Sequence, residues 1–291
     1  MKQISILVIG IIIFCACKKE SKDECPTDPL ANTLIHNGEQ REYVIYIPST
    51  YDGTSAVPLM FNFHGFGGNA RDYMLSADMR TQAEADTFIL VYPQGSCIDG
   101  ASHWNSSLPG GDNKSSADDL GFVESLINNL VSTYNVDLER VYACGYSNGG
   151  MMAFGLAQHK SDLIAAVGSV SGTMLDSGNS PNRPVPVITI HGTADGVLPY
   201  NGSADYNSVS NVLDYWVNFN NTDVTPQITN LTSGSYQIEH QLFTNGDSSS
   251  TVEHYKIISG DHVWFDLNIN GSSTSDLIWN FVSQYDINGL N

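Results

Sequence analysis

The chain contains a G-x-S-x-G run, Gly145-Tyr146-Ser147-Asn148-Gly149, in a context that few folds provide. A short apolar, β-rich segment (140–144) enters the run, and a segment of small and apolar residues with helical character (150–157) leaves it. A serine at such a sharp strand-to-helix turn has an exposed Oγ and a free backbone N–H on the residue that follows. Glycine is needed on both sides because a Cβ there would meet the neighbouring strand and helix. The run therefore predicts a strand–turn–helix unit with Ser147 as a candidate nucleophile.

Strand-like segments recur along the chain, with helical periodicity between several of them. The strand-like segments are 41–48, 58–64, 88–92, 141–144, 165–170, 185–190 and 254–258. Most are continuous apolar runs, which are typical of parallel strands buried on both faces. Helical spacing of apolar residues occurs at 118–130, 208–219 and 275–285. Strands that alternate with helices predict an α/β fold with a mostly parallel central sheet and helices on both faces.

The N-terminus predicts an exported protein. Lys2 precedes an apolar run at 4–14 that is short for a membrane span, and Ala16-Cys17 follows it directly. A small residue before a cysteine at this place resembles a bacterial lipoprotein signal, in which Cys17 becomes the lipidated first residue. We expect residues 1–17 to be this signal, 18–33 a flexible tether and 34–291 one catalytic domain. The alternatives are an ordinary signal peptide, which would make the protein secreted, and a short membrane anchor.

Charge and cysteine content limit the partners. Twelve basic against 31 acidic residues give a net charge of −19, which disfavours nucleic acid and anionic membrane surfaces. The only membrane contact we expect is an N-terminal lipid anchor. Cys144 is predicted to be a buried apolar residue, whereas Cys25 and Cys97 could pair in an oxidising compartment. No Cys/His set has zinc spacing, and we expect neither a metal nor a cofactor.

A serine hydroxyl needs a base to become a nucleophile, and the base needs an acid to orient it. Such groups lie on loops at the carboxyl ends of parallel strands. Asp195 follows the strand 185–190 and is the candidate acid, with an Asx turn as the alternative. His262 follows the last long strand and is the candidate base. His240 and His254 lie within strand-like segments, so we expect them to be structural or exposed.

An oxyanion hole needs two or more donors aimed at the point where negative charge develops. One is the backbone N–H of Asn148, which follows the serine. The loop His64-Gly65-Phe66-Gly67-Gly68-Asn69 follows an earlier strand, and its glycines permit close approach to a substrate carbonyl. The N–H of Phe66 is the second candidate donor. A phosphate-binding loop is excluded, because the chain has neither G-x-x-x-x-G-K-[ST] nor a G-x-G-x-x-G that opens a helix.

Further candidates for substrate contact are Trp104, Asn105, His64 and Trp264. Trp104 and Asn105 lie in a glycine- and serine-rich loop, 95–116, that is expected to overhang the sheet edge. An aromatic ring there could stack on substrate, and packing of the loop is an equal alternative. His191 is expected to tether a loop, and Asp118 and Asp119 to begin a helix rather than to bind calcium.

The motifs resemble those of one family in their order as well as their content. They are HGFGGN (64–69), VYPQG (91–95), WN (104–105), DLGFV (119–123), GYSNGGMM (145–152), HGTAD (191–195) and GDHVW (260–264). The set is similar to the exported polyhydroxybutyrate depolymerase and feruloyl/acetylxylan esterase-like branch of the α/β hydrolases. The resemblance implies the α/β-hydrolase fold without a large lid domain. It also implies Ser147 as nucleophile, Asp195 as acid and His262 as base.

The expected activity is that of a serine carboxylic-ester hydrolase. Its expected substrates are feruloyl or acetyl esters of plant polysaccharide, with polyhydroxyalkanoate as the alternative. The chain departs from the family pattern beside His262 and at Phe66-Gly67, and these departures leave the substrate open. A serine peptidase of this fold usually carries an extra domain that has no place between the motifs. A surface polysaccharide-binding lipoprotein would not need serine, acid and histidine in this order.

Overall fold

The computed structural model describes residues 25–111, 113–175, 178 and 180–291. In chain order its strands are β1 (Asn32–His36), β2 (Glu39–Tyr46), β3 (Val57–Phe63), β4 (Ile89–Pro93), β5 (Ser96–Ile98), β6 (Ala101–His103), β7 (Val136–Tyr146), β8 (Ala166–Val170), β9 (Val187–Gly192), β10 (Gln227–Ser233), β11 (Tyr236–Phe243), β12 (Val252–Ile258), β13 (Tyr285–Asp286) and β14 (Gly289–Leu290). Its α-helices are α1 (Ala70–Ser76), α2 (Arg80–Asp86), α3 (Asp119–Val131), α4 (Asn148–His159), α5 (Val209–Phe219) and α6 (Thr274–Val282).

Ten of these strands form one sheet, in the order β1-β2-β4-β3-β7-β8-β9-β12-β11-β10. The six strands from β4 to β12 in this order are parallel. Antiparallel strands extend the sheet at both edges. The predicted, mostly parallel sheet is therefore confirmed, and each of the seven predicted strand segments overlaps a strand. The edge strand β10 escapes the prediction because nearly all its residues are exposed and leave no apolar pattern.

Helices cover both faces of the sheet, as predicted. Successive side chains of a strand point to opposite faces. In β3, Leu59, Phe61 and Phe63 join the core under α3, α4 and α5, whereas Met60 joins the core under α1, α2 and α6. The apolar periodicities at 118–130, 208–219 and 275–285 correspond to α3, α5 and α6. The helices α1 and α2 have seven residues each, which is too short for a clear periodic pattern.

Part of the predicted tether belongs to the folded domain, which corrects the boundary expected from the sequence. Cys25 forms a disulfide with Cys97, and the carboxylate of Asp28 accepts a hydrogen bond from Arg71 Nε at 2.6 Å. The first strand begins at Asn32. Residues 25–33 are thus held against the sheet. The expected signal at 1–17, the lipidation site Cys17 and the start of the tether lie outside the described residues.

The site lies at the edge where the parallel strands end. Over this edge the described residues place loops and the small β5–β6 hairpin, and no lid domain. Behind the hairpin, Asp119 is buried and forms an ion pair with Arg41 at 2.7 Å. Asp118 caps α3 by accepting the N–H of Gly121, so its predicted place at a helix N-terminus is confirmed.

Among the helices of the described residues, none combines the length and the apolar character that a membrane span requires.

Candidate active site

Ser147 occupies a strained turn between β7 and α4. Its backbone has φ 55° and ψ −119°, a conformation that residues with a side chain rarely adopt. A Cβ at Gly149 would overlap the carbonyl group of Phe63, and a Cβ at Gly145 would overlap the backbone of Gly149. The two glycines of the run are therefore required by packing, as the sequence predicts, and the serine stands at the carboxyl end of a central strand.

The structure brings Ser147, His262 and Asp195 into one chain of hydrogen bonds. Ser147 Oγ lies 2.9 Å from His262 Nε2, and His262 Nδ1 lies 2.8 Å from Asp195 Oδ2. With Nδ1–H donating to the carboxylate, Nε2 is left to accept the serine proton. The histidine arrives from the loop after β12 and the aspartate from the loop after β9. The arrangement can therefore activate the hydroxyl as a nucleophile.

Asp195 is held as a carboxylate. Burial by itself would raise its pKa, but hydrogen bonds from His191, from His262 and from the backbone N–H groups of Leu198 and Val197 outweigh burial. Together they hold the pKa of Asp195 well below its usual range. The two backbone bonds, both to Oδ1, form the Asx-type turn that the sequence left as an alternative. The same carboxylate thus shapes its loop and meets the histidine.

The loop that carries His262 is fixed from two sides. The hydroxyl of Tyr146 donates to the carbonyl of His262 at 2.9 Å, and Ser171 Oγ donates to the carbonyl of Val263 at 3.0 Å. The rings of Tyr146 and His262 also lie 5.1 Å apart. Tyr146 occupies the variable position just before Ser147, which the motif alone leaves unassigned. It positions the base as well as the turn.

The glycine loop after β3 lies directly against the serine. A Cβ on Gly65 would stand 3.4 Å from the Cβ of Ser147. In the loop, Gly67 N–H donates to Ser102 and Gly68 N–H to Gly65, whereas Phe66 N–H has no acceptor in the described chain. The N–H of Asn148 opens α4, where the first N–H groups have no partner within the helix. Among the described residues, neither predicted oxyanion donor has an acceptor, and the loop that carries Phe66 contacts Ser147 through Gly65.

Trp104 does not line the site, in contrast to its predicted contact with substrate. The residue is only 2% exposed. Its backbone N–H donates to Asn148 Oδ1 at 2.7 Å, its carbonyl accepts from Asn148 Nδ2 at 3.1 Å, and its Nε1–H donates to the carbonyl of His64 at 2.9 Å. Of the two roles that the sequence left open for Trp104, contact with substrate and packing of its loop, the structure shows packing.

Asn105 is likewise buried, in contrast to its predicted contact with substrate. His64 is also buried but borders the groove beside the serine, so its contact with substrate stays a prediction. His64 Nδ1–H donates to the carbonyl of Gly65 at 2.7 Å, and its Nε2 accepts the N–H of Gly95 at 3.0 Å. Burial lowers the pKa of His64 to about 4 against the opposing effect of the bond to Gly65, so the ring is neutral. Asn105 Nδ2 donates to the carbonyl of Ala117 at 2.8 Å and braces the loop before α3.

An aromatic groove opens beside the serine. Its volume is about 510 Å³, and Phe66, Tyr73, Tyr146 and Trp264 contribute rings to its lining. Trp264 is half-buried and meets Tyr73 edge to face, with 5.9 Å between ring centroids. The Phe66 side chain is 54% exposed. Trp264 therefore lies where its predicted contact with substrate requires. Tyr73 was not predictable, because it belongs to the short helix α1.

Two further histidines, His191 and His254, form hydrogen bonds that hold strands and loops together. His191 Nε2–H donates to the carbonyl of Leu198 at 2.9 Å and so ties β9 to the loop of Asp195. His254 is buried between Thr189 and Tyr200, and burial lowers its pKa to about 3. The structural role predicted for His254 is confirmed. Among the described residues, no group of three His, Cys, Asp or Glu side chains is placed to hold a metal ion.

A largely parallel sheet with a serine turn at the end of a central strand defines the class of α/β hydrolases. Within that class, the family model for the esterase PHB depolymerases matches residues 41–225, which is more than half of the chain. The chain belongs to this family. The family resemblance and the fold inferred from the sequence motifs are thereby confirmed.

Two relatives and one solved structure illustrate the match. Over 256 residues the chain is 27% identical to the bifunctional acetylxylan esterase/xylanase of Neocallimastix patriciarum, covering 87% of this chain and 34% of that protein. It is 30% identical over 206 residues to the "Probable feruloyl esterase C" of Aspergillus clavatus, covering 68% and 70%. It therefore spans about a third of the first relative. The acetyl xylan esterase from Aspergillus awamori has the same fold, with a TM-score of 0.61 and 16% identity over 84% of this chain and 94% of that one.

Proposed function

We propose that this protein is an exported serine carboxylic-ester hydrolase that works through an acyl-enzyme at Ser147. The observation that carries the proposal is the continuous path from Ser147 Oγ through the His262 ring to Asp195, with bonds of 2.9 and 2.8 Å. The N–H of Asn148, which follows the serine, and the N–H of Phe66, in the loop that contacts the serine through Gly65, have no acceptor among the described residues. A structural or purely binding role gives no reason for this combination of nucleophile, base, acid and donors.

The proposed reaction has two halves. His262 Nε2 takes the proton of Ser147 as Oγ attacks the ester carbonyl carbon, and the carbonyl oxygen becomes an oxyanion that Phe66 N–H and Asn148 N–H stabilise. His262 then passes the proton to the departing alcohol, which leaves an acyl group on Ser147. A water molecule, deprotonated by His262, attacks the acyl carbon and releases the acid. Asp195 stabilises the imidazolium in both halves, and no cofactor takes part.

The preferred substrates are feruloyl or acetyl esters of plant polysaccharide, with polyhydroxyalkanoate oligomers as the second candidate. The aromatic groove favours a feruloyl or other aryl-bearing acid, because aromatic rings pack edge to face or offset on one another. An acetyl group would leave most of a groove of about 510 Å³ unfilled. The names of the relatives agree with esters of this kind.

Export completes the proposal. The signal at residues 1–17 would deliver the chain across the membrane, and lipidation at Cys17 would anchor it. The disulfide between Cys25 and Cys97 agrees with an oxidising compartment. Radiolabelled palmitate incorporated by wild type and lost in Cys17→Ser would support the anchor. Equal labelling of the two proteins would reject it.

Turnover of p-nitrophenyl acetate tests the reaction class. Ser147→Ala should lose nearly all turnover, whereas Ser55→Ala, which changes an exposed serine away from the site, should keep the wild-type rate. Equal rates for wild type and Ser147→Ala would reject the hydrolase proposal. Retained binding to xylan without turnover in the wild type would instead support the polysaccharide-binding alternative.

Competing substrates test the substrate class. Release should be faster from methyl ferulate than from acetylated xylan or polyhydroxybutyrate. Trp264→Ala should reduce kcat/KM for methyl ferulate at least about ten-fold, because the contact between the Trp264 ring and the feruloyl ring, with the apolar area it buries, contributes over about 1 kcal/mol. The same variant should have little effect on p-nitrophenyl acetate, which has no feruloyl ring. Fastest release from polyhydroxybutyrate would support the second candidate.

A further inference from the structure

Trp104 uses all of its polar groups to connect two segments. Its backbone N–H and carbonyl pair with the side-chain amide of Asn148, at 2.7 and 3.1 Å. Its indole Nε1–H donates to the carbonyl of His64 at 2.9 Å. The first segment is the start of α4 and the second is the glycine loop after β3. Each of these segments carries one proposed oxyanion donor, Asn148 N–H and Phe66 N–H.

The packing around Trp104 makes this connection stiff. The indole ring meets Phe63 edge to face, with 5.1 Å between ring centroids, and the His64 ring at the same distance. From the same hairpin, Ser102 accepts the N–H of Gly67 through its carbonyl at 2.7 Å. The glycine loop is thus held by the residues that lead into Trp104 as well as by Trp104 itself. Buried hydrogen bonds are costly to leave unmade, so the bridge resists distortion.

We propose that Trp104 is a positioning residue that sets the spacing between the two donors of the oxyanion hole. The inference rests on the proposed function and adds a residue to it. Trp104 touches neither substrate nor the reacting atoms, because it is buried beneath the site. It acts through the side chain of Asn148 and the carbonyl of His64.

The consequence for catalysis is selective. Oxyanion donors stabilise the tetrahedral oxygen far more than the ground-state carbonyl, so a small displacement of one donor weakens the transition state and leaves substrate binding nearly unchanged. A looser bridge should therefore lower kcat rather than raise KM. A looser bridge should also weaken the binding of a boronic acid inhibitor, because its tetrahedral adduct with Ser147 places an oxygen in the oxyanion hole.

The test is Trp104→Phe, which keeps an aromatic ring and removes Nε1–H. With p-nitrophenyl acetate we expect kcat to fall roughly 10- to 100-fold, which is at most about the effect of removing one oxyanion donor. KM should stay within about two-fold of the wild-type value. The inhibition constant of phenylboronic acid should rise by a similar factor. The matched control is Trp216→Phe, because Trp216 is also fully buried and its Nε1–H has no partner among the described residues. Its kcat should stay at the wild-type value.

A second variant breaks the other end of the bridge. Asn148→Ala removes both bonds to Trp104 and keeps the backbone N–H. Since either change breaks the same connection, kcat of the double variant Trp104→Phe/Asn148→Ala should be about that of the less active single variant. The inference would be overturned if the fold-decreases in kcat of the two single variants multiplied in the double variant. It would also be overturned if Trp104→Phe and Trp216→Phe lost the same fraction of kcat.

Failure of this inference differs from failure of the proposed function. If Ser147→Ala is inactive while Trp104→Phe keeps wild-type kcat and boronic acid inhibition, only the positioning role is lost. If Ser147→Ala keeps its activity, the hydrolase proposal itself fails. Should Trp104→Phe not fold, as judged by circular dichroism, Asn148→Ala alone must show the fall in kcat at unchanged KM, and its absence overturns the inference.

Discussion

His191 Nε2 lies 3.2 Å from Asp195 Oδ2, the oxygen that also accepts the Nδ1–H of His262. Oδ2 of Asp195 thus contacts two imidazole rings, and Oδ1 accepts two backbone N–H groups. These bonds together lower the pKa of Asp195 in spite of its burial. The acid of the proposed site is therefore ionised and fixed before substrate arrives.

Replacing Asp195 with asparagine should remove most activity. The amide cannot stabilise the imidazolium and favours the wrong tautomer of His262, so kcat for p-nitrophenyl acetate should fall by about 10⁴. His262→Ala should be at least as inactive. Asp261→Asn is the control, because the Asp261 carboxylate accepts the backbone N–H of His262 and an asparagine amide oxygen can accept the same N–H. Activity of Asp195→Asn near the wild-type value would mean that another residue is the acid.

Replacing His191 with phenylalanine should have a smaller effect. The variant keeps a ring in the same place and loses the donor to Leu198 and Asp195, so we expect kcat to fall about ten-fold. His240→Phe is a matched control, since His240 on β11 pairs with Glu253 on the neighbouring strand β12 and not with Asp195. A wild-type kcat for His191→Phe would show that the backbone N–H groups alone position the acid.

Acid should weaken the fold through two buried histidines. His64 and His254 have pKa values of about 4 and about 3, against 6.5 without burial. As the pH falls below 6.5, the unfolded chain binds protons that the folded chain does not, so stability falls until the lower pKa is reached. From pH 6.5 to about pH 5 each group should remove about 2 kcal/mol from the free energy of unfolding.

Urea denaturation near pH 7 and near pH 5 measures this loss. His254→Gln removes one titrating group and keeps donors and acceptors for Thr189 and Tyr200, so its stability should depend less steeply on pH. An unchanged slope would show that His254 is not responsible for the acid sensitivity.

The disulfide between Cys25 and Cys97 should stabilise the domain. It closes a loop with a sequence separation of 72 residues, for which chain entropy gives about 4 kcal/mol. Urea denaturation with and without a phosphine reductant should show a loss of this order for wild type. Cys25→Ser/Cys97→Ser should be less stable and insensitive to the reductant. A double variant as stable as the oxidised wild type would show that the disulfide adds nothing to stability.

The hydrogen-bonded group of Ser147, Asp195 and His262 could be predicted because its signals are local. The turn at Ser147 is defined by glycines two residues away, and Asp195 and His262 each follow an apolar strand directly. Parallel strands bring such loops to one edge whatever the detailed packing. The strands and longer helices were predictable for the same reason, since their periodicity lies within the segment.

The supporting residues were not predictable because their partners are distant in the chain. Trp104 and Asn148 are 44 residues apart, and nothing in either segment indicates that one amide side chain pairs with that backbone. The glycine- and serine-rich loop around Trp104 left substrate contact and loop packing as equal alternatives, and in the structure Trp104 is buried. Residues 25–33 have the composition of a tether, and the residues that hold them to the domain, Cys97, Arg71 and Glu42, are distant in the chain.

The most direct test of the acyl-serine mechanism is peptide mapping by mass spectrometry after reaction with diethyl p-nitrophenyl phosphate. This reagent phosphorylates an activated serine and mimics the tetrahedral intermediate. We predict one diethylphosphoryl group per chain, on the peptide that contains Ser147, in proportion to the activity lost. Full inactivation with the label on another residue, or full activity with Ser147 labelled, would contradict the mechanism.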